Sequence, residues 1–435
     1  MPALKIAIIG AGPAGCMLAR LLIHRSKDTN NTTIQPLIFE ADDSPHSRPQ
    51  GGTLDLHPST GLAAMKEAGL WDGFLKHARF DGEALALCDK RLNMYLRLVP
   101  TKGGKKAAGA RPEIDRVKLL ELLRGSLPAD TIRYGHRLIS VDEGGITLHF
   151  ENGAVETGFD LVVGADGGWS KVRRILSDQK PLYSGVGGHN MLIPNADVTA
   201  PESVELINRG NLFAFSDGKA MMGQQLGNEN LNVNVVSIRP ENWTSQGGYD
   251  VMDAHAVKEA VYKELEDWHP KLLELIRRAD DTYVETRTFY MLPVGFTWEN
   301  HRGITLLGDA AHLMVPFAGE GVNIALEDAM KLSQAIIDAV KAGNGDRKAD
   351  NEALHTKIKA YERDMFKRAA RAQNLSHNAL RDLFFARGSP RSVIERFVIR
   401  FGMYDMNPVL RFGVHPFLAA WIYGYYFVFK LFVGR

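Results

Sequence analysis

Leu4-Lys5-Ile6-Ala7-Ile8-Ile9-Gly10-Ala11-Gly12-Pro13-Ala14-Gly15 is an apolar run that ends in spaced glycines. The run reads as a buried strand, and the helical pattern Met17-Leu18-Ala19-Arg20-Leu21-Leu22-Ile23 follows it. Each glycine has its own task. Gly10 makes the turn, Gly12 lets backbone approach a phosphate, and Gly15 lets the helix pack on the strand. The helix N-terminus then offers N–H groups to an anion. A second apolar run, Pro36-Leu37-Ile38-Phe39, ends in Glu40, where a carboxylate meets a ribose hydroxyl pair. The gap between the two is longer than usual because the polar loop Lys27 to Thr33 intervenes. A plain surface turn before a helix is the alternative. The order strand, glycines, helix, strand, acid favours a dinucleotide held by Gly10, Gly12, Ala14, Gly15 and Glu40.

Far along the chain the same logic returns. Ile304 to Leu307 reads as a strand, and Gly308-Asp309-Ala310-Ala311-His312 follows it. Pro316-Phe317-Ala318-Gly319-Glu320-Gly321-Val322-Asn323 then enters a helix. A dinucleotide is long and needs support at both ends, so two such segments suggest FAD rather than a nicotinamide nucleotide alone. Gly319 and Gly321 open a helix whose first N–H groups lack helical partners. Aimed at the flavin N1–C2=O edge, they stabilise the negative charge of reduced flavin. Pro316 and the glycines suit the bend because a Cβ would block close approach.

At 435 residues the chain can bury two domains, or one with a large insertion. A net charge of +1 gives no bulk field to recruit nucleic acid. Cys16 and Cys88 form neither a metal-ligand spacing nor a disulfide framework, which favours a reducing, cytoplasmic setting. The N-terminus enters a strand at once, so no signal peptide is expected. Lys102 to Arg111 reads as a solvated basic loop.

The expected fold is α/β. A Rossmann-like FAD-binding domain occupies 1–182 and resumes at 291–389 with long helices over Gly321 to Ala342 and Glu352 to Ala386. A β-rich substrate domain is inserted at 183–290, and a helical extension covers 390–435. Strands are expected at Leu206 to Asn208, Leu212 to Phe215, Leu231 to Ile238 and Tyr283 to Phe289, with helices at Ala254 to Leu265 and Pro270 to Arg278. Asp115 is expected to cap a helix through Leu123. From Phe417 to Val433 the chain is almost wholly apolar and aromatic. Three readings of that tail stand: packing on the protein's own surface, peripheral contact at a membrane interface, or a span at the short edge of the needed length.

Taken together, Gly10 to Gly15, Gly164-Ala165-Asp166-Gly167 and Gly308 to His312 resemble, in order, the motifs of the class A flavoprotein aromatic hydroxylases, the p-hydroxybenzoate hydroxylase family. Gly51-Gly52-Thr53-Leu54-Asp55-Leu56-His57 and Gly308 to Asn323 are similar to segments of TetX-like, tetracycline-inactivating monooxygenases. The resemblance implies that Glu40 binds the adenosine ribose and Arg48 contacts a nicotinamide nucleotide. It implies that Asp55 and Arg116 touch the flavin, that Asp309 bonds the ribityl chain, and that Asp166-Gly167 serves both FAD and NAD(P)H. Each also has a bland reading: Asp55 as a turn cap, Arg48 as a surface charge, Arg116 paired with Glu113 or Asp115. Where the family often has glutamine after Gly319, this chain has Glu320.

The chemistry so implied uses NADPH or NADH to reduce the flavin. O₂ adds at C4a, and the hydroperoxide passes oxygen to a small aromatic or polycyclic substrate. It requires no general base, and none is named; His312 reads as structural. By alignment Asn190 stands for a glutamine that contacts tetracycline, Leu212 for an arginine and Asn232 for a histidine. Candidate substrate residues are Asn190, Phe213, Phe215, Gln224 and Pro316, with core strand packing as the rival reading. A flavin-dependent reductase of an isoprenoid-like substrate and a non-catalytic flavin-binding protein remain as alternatives.

Overall fold

The computed structural model describes residues 3–26, 34–45, 51–80, 82, 84–98, 110–142, 147–343 and 347–433. The chain divides into two compact units. The first comprises residues 1–78, 108–182 and 290–374, and the second 79–107, 183–289 and 375–435.

The first unit is built on a five-stranded parallel sheet. Its spatial order is Ile304–Leu306, Leu161–Gly164, Leu4–Ile9, Ile34–Phe39, Ile132–Arg133. Register pairs Ile8 with Ile38 on one side and with Val163 on the other, and Val163 with Thr305. Leu4–Ile9 begins in the middle, and the chain builds first toward one edge and then toward the other. The order therefore reverses between Leu4–Ile9 and Leu161–Gly164. In an open parallel sheet that reversal leaves a crevice at the carboxyl ends of the strands. Buried Ile6, Ile8, Val162, Val163, Leu306 and Met17 form the core beneath it. Such continuous apolar strands are what a sheet covered on both faces needs. Helices Pro13–Arg25 and Gly321–Ala342 pack on each other, both following glycine turns. A two-stranded ribbon pairs Thr53–Asp55 with Glu113–Asp115.

The second unit holds a seven-stranded sheet, in the order Val284–Met291, Leu182–Ile193, Leu231–Ile238, Lys219–Gln225, Asn211–Ser216, Leu85–Cys88, Met94–Leu98. The segment 79–107, inside the span expected for the first domain, belongs here: Leu85–Cys88 pairs in parallel with Asn211–Ser216. Helices Pro201–Ile207, Ala254–Glu264 and Pro270–Arg277 contribute to a core that packs on Met191, Leu212, Ala214, Met221, Val233 and Val235, all from one face. Leu206 to Asn208 is not a strand. Leu206 and Ile207 close the helix Pro201–Ile207, and Asn208 ends it in the left-handed conformation. Pro201 at the helix start and the αL residue at its end outweigh a three-residue apolar run.

The helix Arg347–Leu380 is longer than expected at its start and ends in a π-helical turn, Arg381–Phe385. Asp115 occupies the N-cap of Arg116–Gly125 without a side-chain capping bond. No helix among the described residues is long and apolar enough to cross a membrane, and no group of residues there could hold a metal ion.

Candidate functional site

Three glycine turns leave the carboxyl ends of three adjacent parallel strands. Gly10 follows Leu4–Ile9, Ala165-Asp166-Gly167 follows Leu161–Gly164, and Gly308 follows Ile304–Leu306 across one residue, Leu307. The first two turns touch. A Cβ on Gly10 would lie 2.4 Å from the Ala165 carbonyl oxygen, and Gly10 has φ +108°. A Cβ on Gly15 would lie 2.2 Å from the Gly10 carbonyl oxygen. Both positions therefore admit only glycine. Gly12 differs, since a Cβ there would meet nothing within 4 Å among the described residues. Its surroundings are open space in front of a helix N-terminus. The first helical bond runs from Cys16 N–H to the Gly12 carbonyl, so the N–H groups of Ala14 and Gly15 precede it.

Glu40 closes this turn from the side. Its carboxylate accepts from the N–H of Ala11 at 2.6 Å and of Asp42 at 3.0 Å. Each oxygen keeps acceptor capacity. Arg124, which the sequence reading passed over, reaches the same place. Its guanidinium donates to the Ala11 carbonyl at 3.1 and 3.3 Å and to Pro45 at 2.9 Å. It brings a cation beside a loop shaped for an anion. Nothing in its local pattern marks it among the arginines of an amphipathic helix. Burial pushes the Cys16 thiol beneath the loop up to about 12.

Asp166 uses one carboxylate oxygen on the loop after it, accepting from Lys171 N–H at 2.6 Å. Its other oxygen is buried without a partner among the described residues, and burial raises its pKa. Gly167 takes φ +75°. Arg173, also unforeseen, ties this turn to the third: it donates to the carbonyls of Gly168 and Ala310 at 2.6 and 2.8 Å.

Asp309 is exposed and has no side-chain partner among the described residues. Beneath it, His312 Nε2 lies 2.5 Å from Asp328, which also accepts from Gly308 N–H and Arg368. Burial opposes the Asp328 charge, yet His312 and Arg368 overcome it and hold the carboxyl below its usual range. His312 thus braces the turn from inside.

The segment Pro316–Ala318 forms a 3₁₀ turn opened by exposed Pro316, and Gly319 follows at φ +71°. The helix Gly321–Ala342 makes its first backbone bond from Ile324 N–H to the Glu320 carbonyl, so Gly321, Val322 and Asn323 present N–H groups before the ladder starts. The Asn323 side chain is spent elsewhere. It donates to the Asp55 carbonyl at 2.9 Å and accepts from His57 N–H at 2.8 Å. Its part in a cofactor site is therefore its backbone. Asp55 lies 2.9 Å from His57 Nε2, and the far side of that ring stands 3.7 Å from Glu320. His57, given no role in the sequence reading, sits between the two carboxylates. Arg116 N–H bonds the Gly52 carbonyl, which places that arginine at the same ribbon. Arg48 lies outside the described residues.

These groups fit FAD. Open space before Gly12 suits a pyrophosphate, Glu40 a ribose, the free Asp309 carboxylate a polyol, and the Gly321–Asn323 N–H groups an anionic ring edge. The FAD binding domain family profile matches residues 3–371. The chain belongs to this family. It is an FAD-dependent monooxygenase of the class A flavoprotein group. It is 30% identical over 422 residues to monooxygenase penA of Penicillium thymicola, covering 86% of this chain and 94% of that one. A putative FAD-containing monooxygenase from Photorhabdus luminescens superposes with TM-score 0.68 at 24% identity, over 88% of this chain and 99% of the other. The tetracycline destructase Tet(55) does so with TM-score 0.64 at 21% identity, over 93% and 97%.

Four of the expected substrate residues share one face of the second sheet, opposite its helices. Register runs Asn190–Asn234–Met222–Phe213 across neighbouring strands, and a second row runs Leu192–Asn232–Gln224–Asn211. Phe215 lies on the same face and, like Asn190, is buried; its ring stands edge-on to Phe384 at 5.9 Å. Gln224 donates to Asn211 at 2.8 Å. Leu212 faces the other way, into the helix-covered core. Side chains alternate across a strand, so Leu212 does not share the face of Asn190, Phe213 and Gln224. Pro316 belongs to the first unit.

Proposed function

We propose that this monooxygenase hydroxylates a small aromatic or polycyclic molecule, using O₂ and electrons from NADPH or NADH. The observation that carries it is the gathering of three glycine turns at the reversal point of the parallel sheet. In this reading Gly10, Gly12, Ala14, Gly15 and Arg124 hold the pyrophosphate. Glu40 takes the adenosine ribose and Asp309 the ribityl hydroxyls. Asp55, Arg116, Asp166, Gly167, Gly319 and the N–H groups of Gly321, Val322 and Asn323 face the flavin. Bound there, the flavin supplies the redox chemistry and oxygen activation. The chain supplies orientation, exclusion of water and fixed dipoles. His57 stands between Asp55 and Glu320 beside that helix N-terminus. Arg48 is assigned to the nicotinamide nucleotide, and Asn190, Phe213 and Gln224 to the substrate. The amide-rich sheet face suits neutral polar groups on an otherwise apolar ligand.

The monooxygenase penA supports the oxygenase reading, since this chain matches it over 94% of its length. We further propose a cytoplasmic protein that touches a membrane peripherally through Pro408–Phe432. Substrate-stimulated oxidation of NADPH with stoichiometric O₂ uptake, and a product heavier by one oxygen atom, tests the reaction. Consumption of NADPH with a reduced product and no O₂ uptake would replace it with the reductase reading.

A further inference from the structure

Among the described residues, the C-terminal helix Pro408–Phe432 packs with one face only. Ile422 and Tyr426 are buried, and Tyr426 Oη donates to the Tyr95 carbonyl at 2.9 Å. Arg391 donates to the carbonyl of Lys430 at 2.6 Å and also to that of Val433. Lys430 pairs with Glu395 at 2.6 Å. The helix is therefore fixed, and its other rings are held out in solvent: Phe412 is 88% exposed, Phe417 77%, Trp421 68%, Phe427 67% and Phe432 83%. Trp421 stacks on Tyr425, and Tyr425 on Phe429. From Phe412 to Phe432 this surface extends about 30 Å along the axis. A contiguous apolar patch of that length marks an interaction surface.

Composition and charge choose the occupant. Between Phe412 and Phe429 there is no Asp, Glu, Lys or Arg. Trp and Tyr favour the boundary between headgroups and acyl chains. Arg411, exposed, stands at one end of the rings, while Lys430 at the other is held by Glu395. Residues 381–435 carry eight Lys or Arg against three Asp or Glu, whereas the whole chain is only +1. A second copy would bring the same cationic surplus against itself. We infer that this helix lies flat on a bilayer rich in anionic lipid, rings at the acyl boundary and Arg411, with the segment's cationic surplus, among the headgroups. The inference rests on the peripheral contact proposed above and adds the lipid's charge.

Flotation of the full-length, FAD-loaded protein tests it, using vesicles of phosphatidylcholine alone and of phosphatidylcholine with phosphatidylserine. The expected result is roughly tenfold more protein on the anionic vesicles. Added salt should release it. The double variant Trp421→Asp/Phe427→Asp changes two exposed positions and should stay yellow but fail to float. Phe417→Asp serves if the double variant loses its flavin. Equal binding to both vesicle types overturns the anionic preference and leaves peripheral contact standing. Binding to neither overturns both. A dimer that the double variant disperses, without flotation, overturns both in favour of a self-interface.

Discussion

Asp309 and Asn323 lie on either side of the same bend and do opposite work. The Asp309 carboxylate is exposed with no partner among the described residues, so its removal costs the fold little. Asp309→Ala should therefore fold normally yet bind FAD more weakly by at least about tenfold, the usual cost of losing a bond to a charged acceptor. Flavin titration reads this, and undiminished affinity would refute the assignment. The Asn323 amide bonds the backbone at Asp55 and His57 and is fully buried. Asn323→Leu should instead lower stability by about 2–4 kcal/mol, because buried backbone groups lose partners. Urea denaturation of the flavin-free protein measures that loss. Arg48→Ala should slow flavin reduction by NADPH in stopped flow while FAD stays bound. At this scale the sequence was readable where geometry forces a residue type. Gly10 at φ +108° is such a case. Arg124 was not readable, since a guanidinium that folds back from Arg116–Gly125 onto Ala11 has no local signature.

Among the elements, the strands Leu4–Ile9, Ile34–Phe39 and Ile304–Leu306 of the parallel sheet and the helix Gly321–Ala342 were legible from their apolar period and the glycines beside them, whereas the two-residue edge strand Ile132–Arg133 was not. The long strand Leu182–Ile193 was missed, and its glycines explain why. Gly187 leaves room for Trp243, whose Nε1 would lie 2.4 Å from a Cβ there, and Gly188 lies against the Val235 carbonyl. Tertiary packing, not strand propensity, selects those residues. His189 on this strand makes a pH prediction. Thr286 donates its hydroxyl to the Val251 carbonyl, so His189 Nδ1 must donate to Thr286 and Nε2 accept from Tyr249. Burial, with Arg239 nearby, pushes the imidazole down to about 4. The unfolded chain binds a proton near 6.5 that the folded chain refuses until about 4, so stability should fall as pH drops through that window. The loss approaches roughly 3 kcal/mol at its acid end. His189→Gln should flatten that stretch of a stability–pH curve measured by urea denaturation. An unchanged slope would place the titration elsewhere.

For the whole molecule, the division into two units separates the proposed cofactor site from the C-terminal helix. Every described residue assigned to FAD lies within 1–78, 108–182 or 290–374. The helix Pro408–Phe432 rests on residues of the second unit: Tyr95, Arg391 and Glu395. Cutting the chain before Pro416 would remove Ile422 and Tyr426 from their buried places and leave Glu395, itself buried, without Lys430. Uncovering two large side chains' worth of apolar contact costs on the order of 3–6 kcal/mol, and the unpaired Glu395 adds to it. That loss falls on the second unit and leaves every assigned flavin contact in place. The truncated protein should therefore still purify with flavin, while its first thermal transition drops and light scattering rises with it. Flavin fluorescence should be released only in a later, separate step. A single transition in which flavin release and scattering coincide would mean that the helix supports both units together.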